Sequence, residues 1–336
     1  MTAGASDGEP QRASAGADDA EVVLRADDLK KTFRLGFLRK RVEAVRGVSF
    51  TVRRGEIFGF LGPNGAGKTT TLKMLMGLIF PSSGRAQVLG RKVPDRQTQR
   101  KVGYLPETPY FYEYLTPEEF LDFAGALCDV PADLRKRRAD ALLTRVGLDH
   151  ARGRPLRKFS KGMLQRIGIA QALMGDPEII VLDEPMTGLD PLGRKDVRDL
   201  ILELRREGKT VMFSTHILPD VEMTCDRVAI VVAGRVASVG RLAELLSPRV
   251  LSTEVVLKPA LTGSAASGSV PALPAGARRL PAGDDVVVEL PADADVDAFL
   301  RAALALGAVV LSVTPRRESL EDLFVRQAVA PGSVAA

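Results

Sequence analysis

Tryptophan is absent, cysteine and histidine occur only twice each, and aromatic residues make up only 5% of the chain. No apolar run approaches the roughly 18 residues that a membrane-spanning helix needs, so the chain is not expected to cross a bilayer by itself. Cys128 and Cys225 stand far apart without metal-ligand neighbours. This excludes a disulfide framework or a zinc-type spacing and predicts two reduced, mostly buried small hydrophobes. The basic clusters at 38–41 and 135–138 have no aromatic interleaving, so no nucleic acid partner is expected, despite a net charge of +5. Solvated helix faces, anionic lipid or a partner protein suit these clusters better. The opening "MTAGASDGEPQRASAGADDA" lacks the basic start and apolar centre of a secretory signal, and residues 1–20 read as a disordered tail.

What is present fits a globular chain: 45% hydrophobic and 26% charged residues over 336 positions, enough for about two domains. From Glu21, "EVVLRADDLKKTF" and "GVSFTV" predict a small antiparallel β layer, which feeds the compact apolar strand "GEIFGFLG". A helix follows in "KTTTLKMLMGL" and is expected to stop at Gly77. Between about 108 and 175 the pattern is helical, with Thr116, Pro117 and Glu119 forming a capping-box start and a basic helix expected from about Ala132 to Val146. "EIIVLDEP", "TVMFST" and "RVAIVV" then return as the continuous apolar runs of a buried parallel sheet, so a helical insertion interrupts an α/β core. Past Gly240, a Gly/Ala/Ser/Pro-rich stretch at 262–276 separates the strands and helix of a small α+β accessory domain at 241–336.

Two places carry the chemistry. Gly62-Pro63-Asn64-Gly65-Ala66-Gly67-Lys68-Thr69 lies between a predicted strand and a predicted helix, where a glycine loop can wrap phosphates with its N–H groups. Lys68 adds a point charge to the β/γ-phosphates, and Thr69 supplies a hydroxyl ligand for Mg²⁺. A second strand ends in Asp183 and Glu184, and adjacent carboxylates there call for a cation or nucleotide. Strand alternation would send Asp183 toward Mg²⁺ and Glu184 toward an attacking water. His216 follows the next strand and is placed to hydrogen-bond a γ-phosphate oxygen; His150 has no supporting motif. "FSKGMLQR", with Ser160 and Gly162, reads either as an ordinary capped helix start or as a second phosphate grip.

Taken together in this order, the motifs from roughly Val22 to Gly240 resemble the nucleotide-binding subunit of ATP-binding-cassette (ABC) transporters. The resemblance implies a P-loop NTPase of α/β class with an antiparallel β subdomain and a helical subdomain (about 108–175) within an ATPase domain at 21–240. It makes Gly62 to Thr70 the Walker A loop, Asp183 a metal ligand, Glu184 the catalytic base, Asp190 the end of the D-loop and His216 the switch histidine. Phe33 matches the aromatic that stacks on adenine, with plain core packing as its alternative. "FSKGMLQR" matches the signature sequence, which in the family faces away from its own Walker A loop, so two copies are expected to pair head to tail around ATP. Lys161 and Met163 depart from the usual glycine and glutamine, and Glu107 stands where the Q-loop has glutamine. "SKGM", "GYLPE" and the terminal "ESLEDLFV" are similar to the branch exporting drugs, polysaccharides and lipid-like molecules, in which the ATPase is a chain separate from its permease. The expectation is therefore an ATP- and Mg²⁺-dependent subunit, cytoplasmic and peripheral on the inner face of the cell membrane, with residues around 104–125 coupling to the permease. A soluble clamp in nucleic-acid repair or translation is the alternative. A P-loop GTPase or kinase is disfavoured by the lack of Asn-Lys-x-Asp.

Overall fold

The computed structural model describes residues 21–35, 40–246, 250–258, 271–281 and 285–329. The expected tail at 1–20 and most of the Gly/Ala/Ser/Pro-rich stretch lie outside the described residues. Contacts divide the chain into two compact units, Met1–Gly240 and Arg241–Ala336.

The first unit opens with β1 (Val22–Leu35) and β2 (Lys40–Arg53), an antiparallel pair running from Val22 opposite Arg53 to Leu35 opposite Lys40. β3 (Ile57–Leu61) is buried along its whole length, as a run of Ile, Phe, Gly, Phe and Leu requires of a strand covered on both faces. α1 (Lys68–Leu75) follows and ends before Gly77, whose φ of +69° turns the chain out of the helix. β4 (Ser83–Val88) and β5 (Arg91–Lys92) complete a sheet of order β2-β1-β4-β5. The short α2 (Arg96–Gln99), capped by Asp95, leads into β6 (Val102–Leu105).

The helical segment comprises α3 (Pro117–Leu127), α4 (Ala132–Arg145) and α5 (Lys161–Leu173). α3 begins as its sequence predicts: Glu119 N–H donates to the Thr116 hydroxyl at 3.3 Å, and Thr116 N–H donates to the Glu119 carboxylate at 2.8 Å. Its buried face, Phe120, Leu121 and Ala124, belongs to the same core as β7, described below. Thr116→Ala should therefore cost about 1 kcal/mol of stability in urea unfolding, with turnover unchanged. Cys128, expected to be buried, is exposed: it caps the carboxyl end of α3, where the helix leaves its apolar face and Leu127 is also exposed. Cys225 is partly buried, and burial pushes its thiol well above the usual range.

The chain then returns to the sheet through β7 (Ile179–Asp183), α6 (Pro191–Arg206), β8 (Thr210–Thr215), α7 (Leu218–Glu222), β9 (Arg227–Val232) and β10 (Arg235–Arg241). The strand order is β10-β9-β3-β8-β7-β6, and the strands from β9 to β6 run parallel. Alternate residues divide between two cores. Ile57, Ile180, Leu182, Val211 and Phe213 pack with the helical segment and α6. Phe58, Phe60, Ile179, Val181 and Met212 pack with α1 and the antiparallel sheet. Parallel order with both faces covered leaves the carboxyl ends of β3, β7 and β8 side by side, the place where such sheets bind ligands.

The second unit contains α8 (Leu242–Leu245), β11 (Val250–Lys258), β12 (Arg278–Leu280), β13 (Val286–Pro291), α9 (Val296–Ala305), β14 (Val309–Arg317) and α10 (Leu320–Val329). Its sheet has the order β12-β13-β11-β14. Alternating Val255, Leu257, Val286, Val288 and Leu290 form a separate core with Phe299 and Ala303 of α9. No helix among the described residues is long and apolar enough to cross a membrane.

Candidate functional site

The loop after β3 is shaped by close approach. A Cβ on Gly62 would lie 2.4 Å from the Val231 carbonyl oxygen, and one on Gly67 would lie 2.4 Å from that of Ala44, with Gly67 also at a φ of +93°. Only glycine fits at these positions. Asn64 and Gly65 stand exposed at the crest of the loop. Gly67 begins α1 with no side-chain cap and no acidic residue in its first turn, so the positive end of the helix faces the loop uncompensated. Thr69 and Thr70, in that first turn, are half-buried. Lys68 is buried, its Nζ 2.7 Å from the Gly62 carbonyl, 3.2 Å from the Pro63 carbonyl and 3.0 Å from Glu184 Oε1.

The carboxylates after β7 are separated by a turn, not by the pleat. Strand geometry ends at Asp183, and Glu184 adopts a φ of +51°, a left-handed backbone that is strained for a residue with a side chain. Asp183 stays against β8 and accepts from the Ser214 hydroxyl at 2.6 Å. Its second oxygen, Oδ2, is buried without a hydrogen-bond partner. Burial pushes this carboxyl above its usual range against the hydrogen bond from Ser214, and the nearby Glu107 and Glu184 push it the same way. Glu184 is held from three sides: by Lys68, by the Thr187 hydroxyl at 2.8 Å and by His216 Nδ1 at 3.0 Å. Burial pushes Glu184 up too, but Lys68, Thr187 and His216 together outweigh it and hold the group below the usual carboxylate range.

The structure thus brings Lys68, Thr69, Asp183, Glu184 and His216 into one cluster, joined by the exposed Glu107, whose Oε2 is 3.4 Å from the Thr69 hydroxyl. Ser214 and Thr187 complete it and were not singled out in the sequence. A serine inside the apolar run "TVMFST" was the available signal for the first. Thr187 lies three residues before Asp190, in the D-loop that the resemblance implies. No group of three or more His, Cys, Asp or Glu residues able to hold a metal occurs among the described residues. Phe33 is half-buried on β1, opposite Val42 and outside both cores, with the Lys31 ammonium 5.2 Å from its ring centre.

Ser160, Gly162 and Asp190 gather elsewhere. Ser160 caps α5, accepting from Met163 N–H at 3.3 Å, and Asp190 caps α6, accepting from Gly193 N–H at 2.9 Å. Both line a cavity of about 430 Å³ with Lys161, Gly162, Leu189 and His150, and no residue from 62 to 70 contributes to it. His150, unsupported by any motif, is thereby placed beside the signature turn.

Known proteins are similar to this chain in sequence and in fold. The family profile described as ABC transporter matches residues 45–187. An ABC transporter ATP-binding protein of Synechocystis is 46% identical over 308 residues, covering 91% of this chain and 84% of its own. The bacitracin transport ATP-binding protein BcrA of Bacillus licheniformis is 41% identical over 216 residues, covering 63% of this chain and 68% of its own. Among solved structures, the dimeric post-hydrolysis state of the ATP-binding cassette MJ0796 with ADP and Pi matches with a TM-score of 0.60 and 25% identity, over 65% of this chain and 98% of that one. With a glycine loop on a helix start, a carboxylate-bearing strand beside it and a relative of nearly the same extent, the chain belongs to the ATP-binding subunits of ABC transporters.

Proposed function

We propose that two copies of this ATPase pair head to tail, each ATP lying between one copy's Gly62–Thr70 loop and the other's Ser160–Gly162 turn, and that the pair drives a separately encoded permease. The observation that carries this reading is the placement of Ser160 and Gly162 in a cavity that contains nothing of the chain's own phosphate loop. A helix start suited to phosphate then finds its ligand on another copy. The dimeric state of the MJ0796 cassette supports the same pairing.

Within each composite site we assign the roles as follows. Lys68 and the loop N–H groups bind phosphate, and Thr70 and Asn64 flank them. Phe33, outside the cores, is the adenine-stacking candidate. Glu184 would act as general base on the attacking water, its carboxylate held by His216 Nδ1 at 3.0 Å, and His216 would contact the γ-phosphate. Asp190 positions the segment beside the partner's site by capping α6. Thr69 and Asp183 are the residues that would hold Mg²⁺. The fit is good: the donors are all oxygen, Asp183 Oδ2 is buried and unpartnered, and a metal that keeps phosphate and water ligands needs few from protein. When bound, Mg²⁺ neutralises charge on the β- and γ-phosphates. Glu107 adds a carboxylate beside Thr69 where family members carry an amide.

Export is the direction favoured, since a Nod factor export ATP-binding protein of Ralstonia nicotianae is 38% identical over 215 residues and "SKGM" and "GYLPE" resemble the exporting branch. The chain would then sit on the inner face of the cell membrane. The exposed ring cluster Tyr110, Tyr112, Tyr114 and Phe123, within the stretch expected to couple, is apolar surface of the kind a permease covers. Purified from detergent-solubilised native membranes, the chain should retain a polytopic membrane protein. Loss of that protein, with RNA or DNA surviving a high-salt wash, would favour the clamp reading instead.

A further inference from the structure

The seam between the helical segment and the parallel sheet encloses a second cavity, of about 510 Å³. The loops after β6 and β7 contribute the carboxylates Glu107 and Glu184, the start of α5 contributes the donors Lys161 and Gln165, and Glu113 and Arg157 line the same cavity. Gln165 is anomalous. It is only 6% exposed, yet its amide nitrogen has no hydrogen-bond partner, and native structures rarely leave such a donor unmade without a use for it. One turn further along α5, a Cβ on Gly168 would lie 2.7 Å from Leu105, so the middle of the helix is pressed against β6 two residues before Glu107. The helix and the Glu107 loop are therefore anchored to each other at one point, with the unpaired amide and the carboxylate on the same cavity just beyond it.

We propose that Gln165 is a positioning residue of the ATPase: when ATP is bound, its amide donates across this cavity to the Glu107 carboxylate and ties the signature turn to the loop beside Thr69. The inference rests on the function proposed above. A neutral donor orients the Glu107 carboxylate without placing a further cation on a cavity that Arg157 and Lys161 already line.

The test combines a charge swap with a conformational readout. Gln165→Glu keeps the shape but sets two carboxylates against each other, so kcat should fall at least about tenfold with KM for ATP within about twofold. Adding Glu107→Gln restores a carboxylate–amide pair and should return kcat to within about threefold of Glu107→Gln alone. Hydrogen exchange across residues 159–166 should slow on binding a non-hydrolysable ATP analogue in the wild type and in the double variant, but not in Gln165→Glu. If Gln165→Glu does not fold, Gln165→Met removes the donor without adding charge and should likewise lose the slowing. The proposal is overturned if Gln165→Glu or Gln165→Met keeps the ATP-dependent slowing, if Gln165→Glu turns over like the wild type, or if the swap fails to rescue. A wild type that does not hydrolyse ATP would overturn the underlying function as well.

Discussion

Glu184→Gln is expected to bind ATP at least as tightly as the wild type, to accumulate as a dimer on it, and to hydrolyse it at least about 100-fold more slowly. The amide preserves the volume and the hydrogen bond with Thr187, so the loop at 184–187 should keep its shape. What disappears is the base and its charge. In the structure Glu184 and the phosphate site compete for the same buried ammonium, since Lys68 Nζ is 3.0 Å from Glu184 Oε1. Removing that carboxylate takes away the ion-pair partner that Lys68 has among the described residues and leaves the ammonium free for phosphate, which favours binding while chemistry stalls. The charge also has a pH consequence. A carboxylate held below its ordinary range contributes stability above its unfolded value and loses it as pH falls through the folded value. The acid-side loss of stability should therefore be smaller in the variant. Turnover near the wild-type rate, read from phosphate release, would remove Glu184 as the base.

Ser160→Arg should likewise keep ATP binding and lose turnover but, unlike Glu184→Gln, should not accumulate as a dimer on ATP. Ser160 is exposed at the head of α5, and its cavity shares nothing with residues 62–70, so ATP affinity of the single chain should change by no more than about twofold. The lost cap on Met163 N–H costs about 1 kcal/mol, too little to unfold a domain of this size. Turnover should nevertheless drop at least about 100-fold, because a bulky side chain at the helix start blocks the approach of the other copy's γ-phosphate. Equilibrium binding of a fluorescent ATP analogue and steady-state hydrolysis separate the two effects. Affinity lost in parallel with turnover would mean that the turn acts within its own chain.

Much of this was legible in the sequence because it is local. The glycine loop, the apolar strand ending in Asp183 and the Thr116 capping box each lie within a few residues, and the structure places them as expected. What sequence reading missed depends on pairing between distant strands. The Ser214–Asp183 hydrogen bond requires β7 and β8 to be neighbours in register, and the Lys68–Glu184 ion pair requires β3 and β7 to end at the same level. Period-two alternation could not predict the left-handed turn at Glu184, since it holds only while the strand lasts. Cys128 was misjudged because residue type was weighed without its position past the end of α3. Gln165 looks like any polar residue near a helix start, and only packing shows that its amide is shut away from water.

Sharing of ATP between copies is tested most directly by mixing two inactive variants. Lys68→Ala should lack a working phosphate loop and Ser160→Arg a working signature turn, so each alone should be nearly inert. Random pairing makes about half of all dimers mixed, and each mixed dimer has one site in which both halves are intact. Turnover should therefore recover to about a quarter of the wild-type rate. A mixture no more active than its components, with mixed dimers shown to form, would contradict a nucleotide site built from two chains.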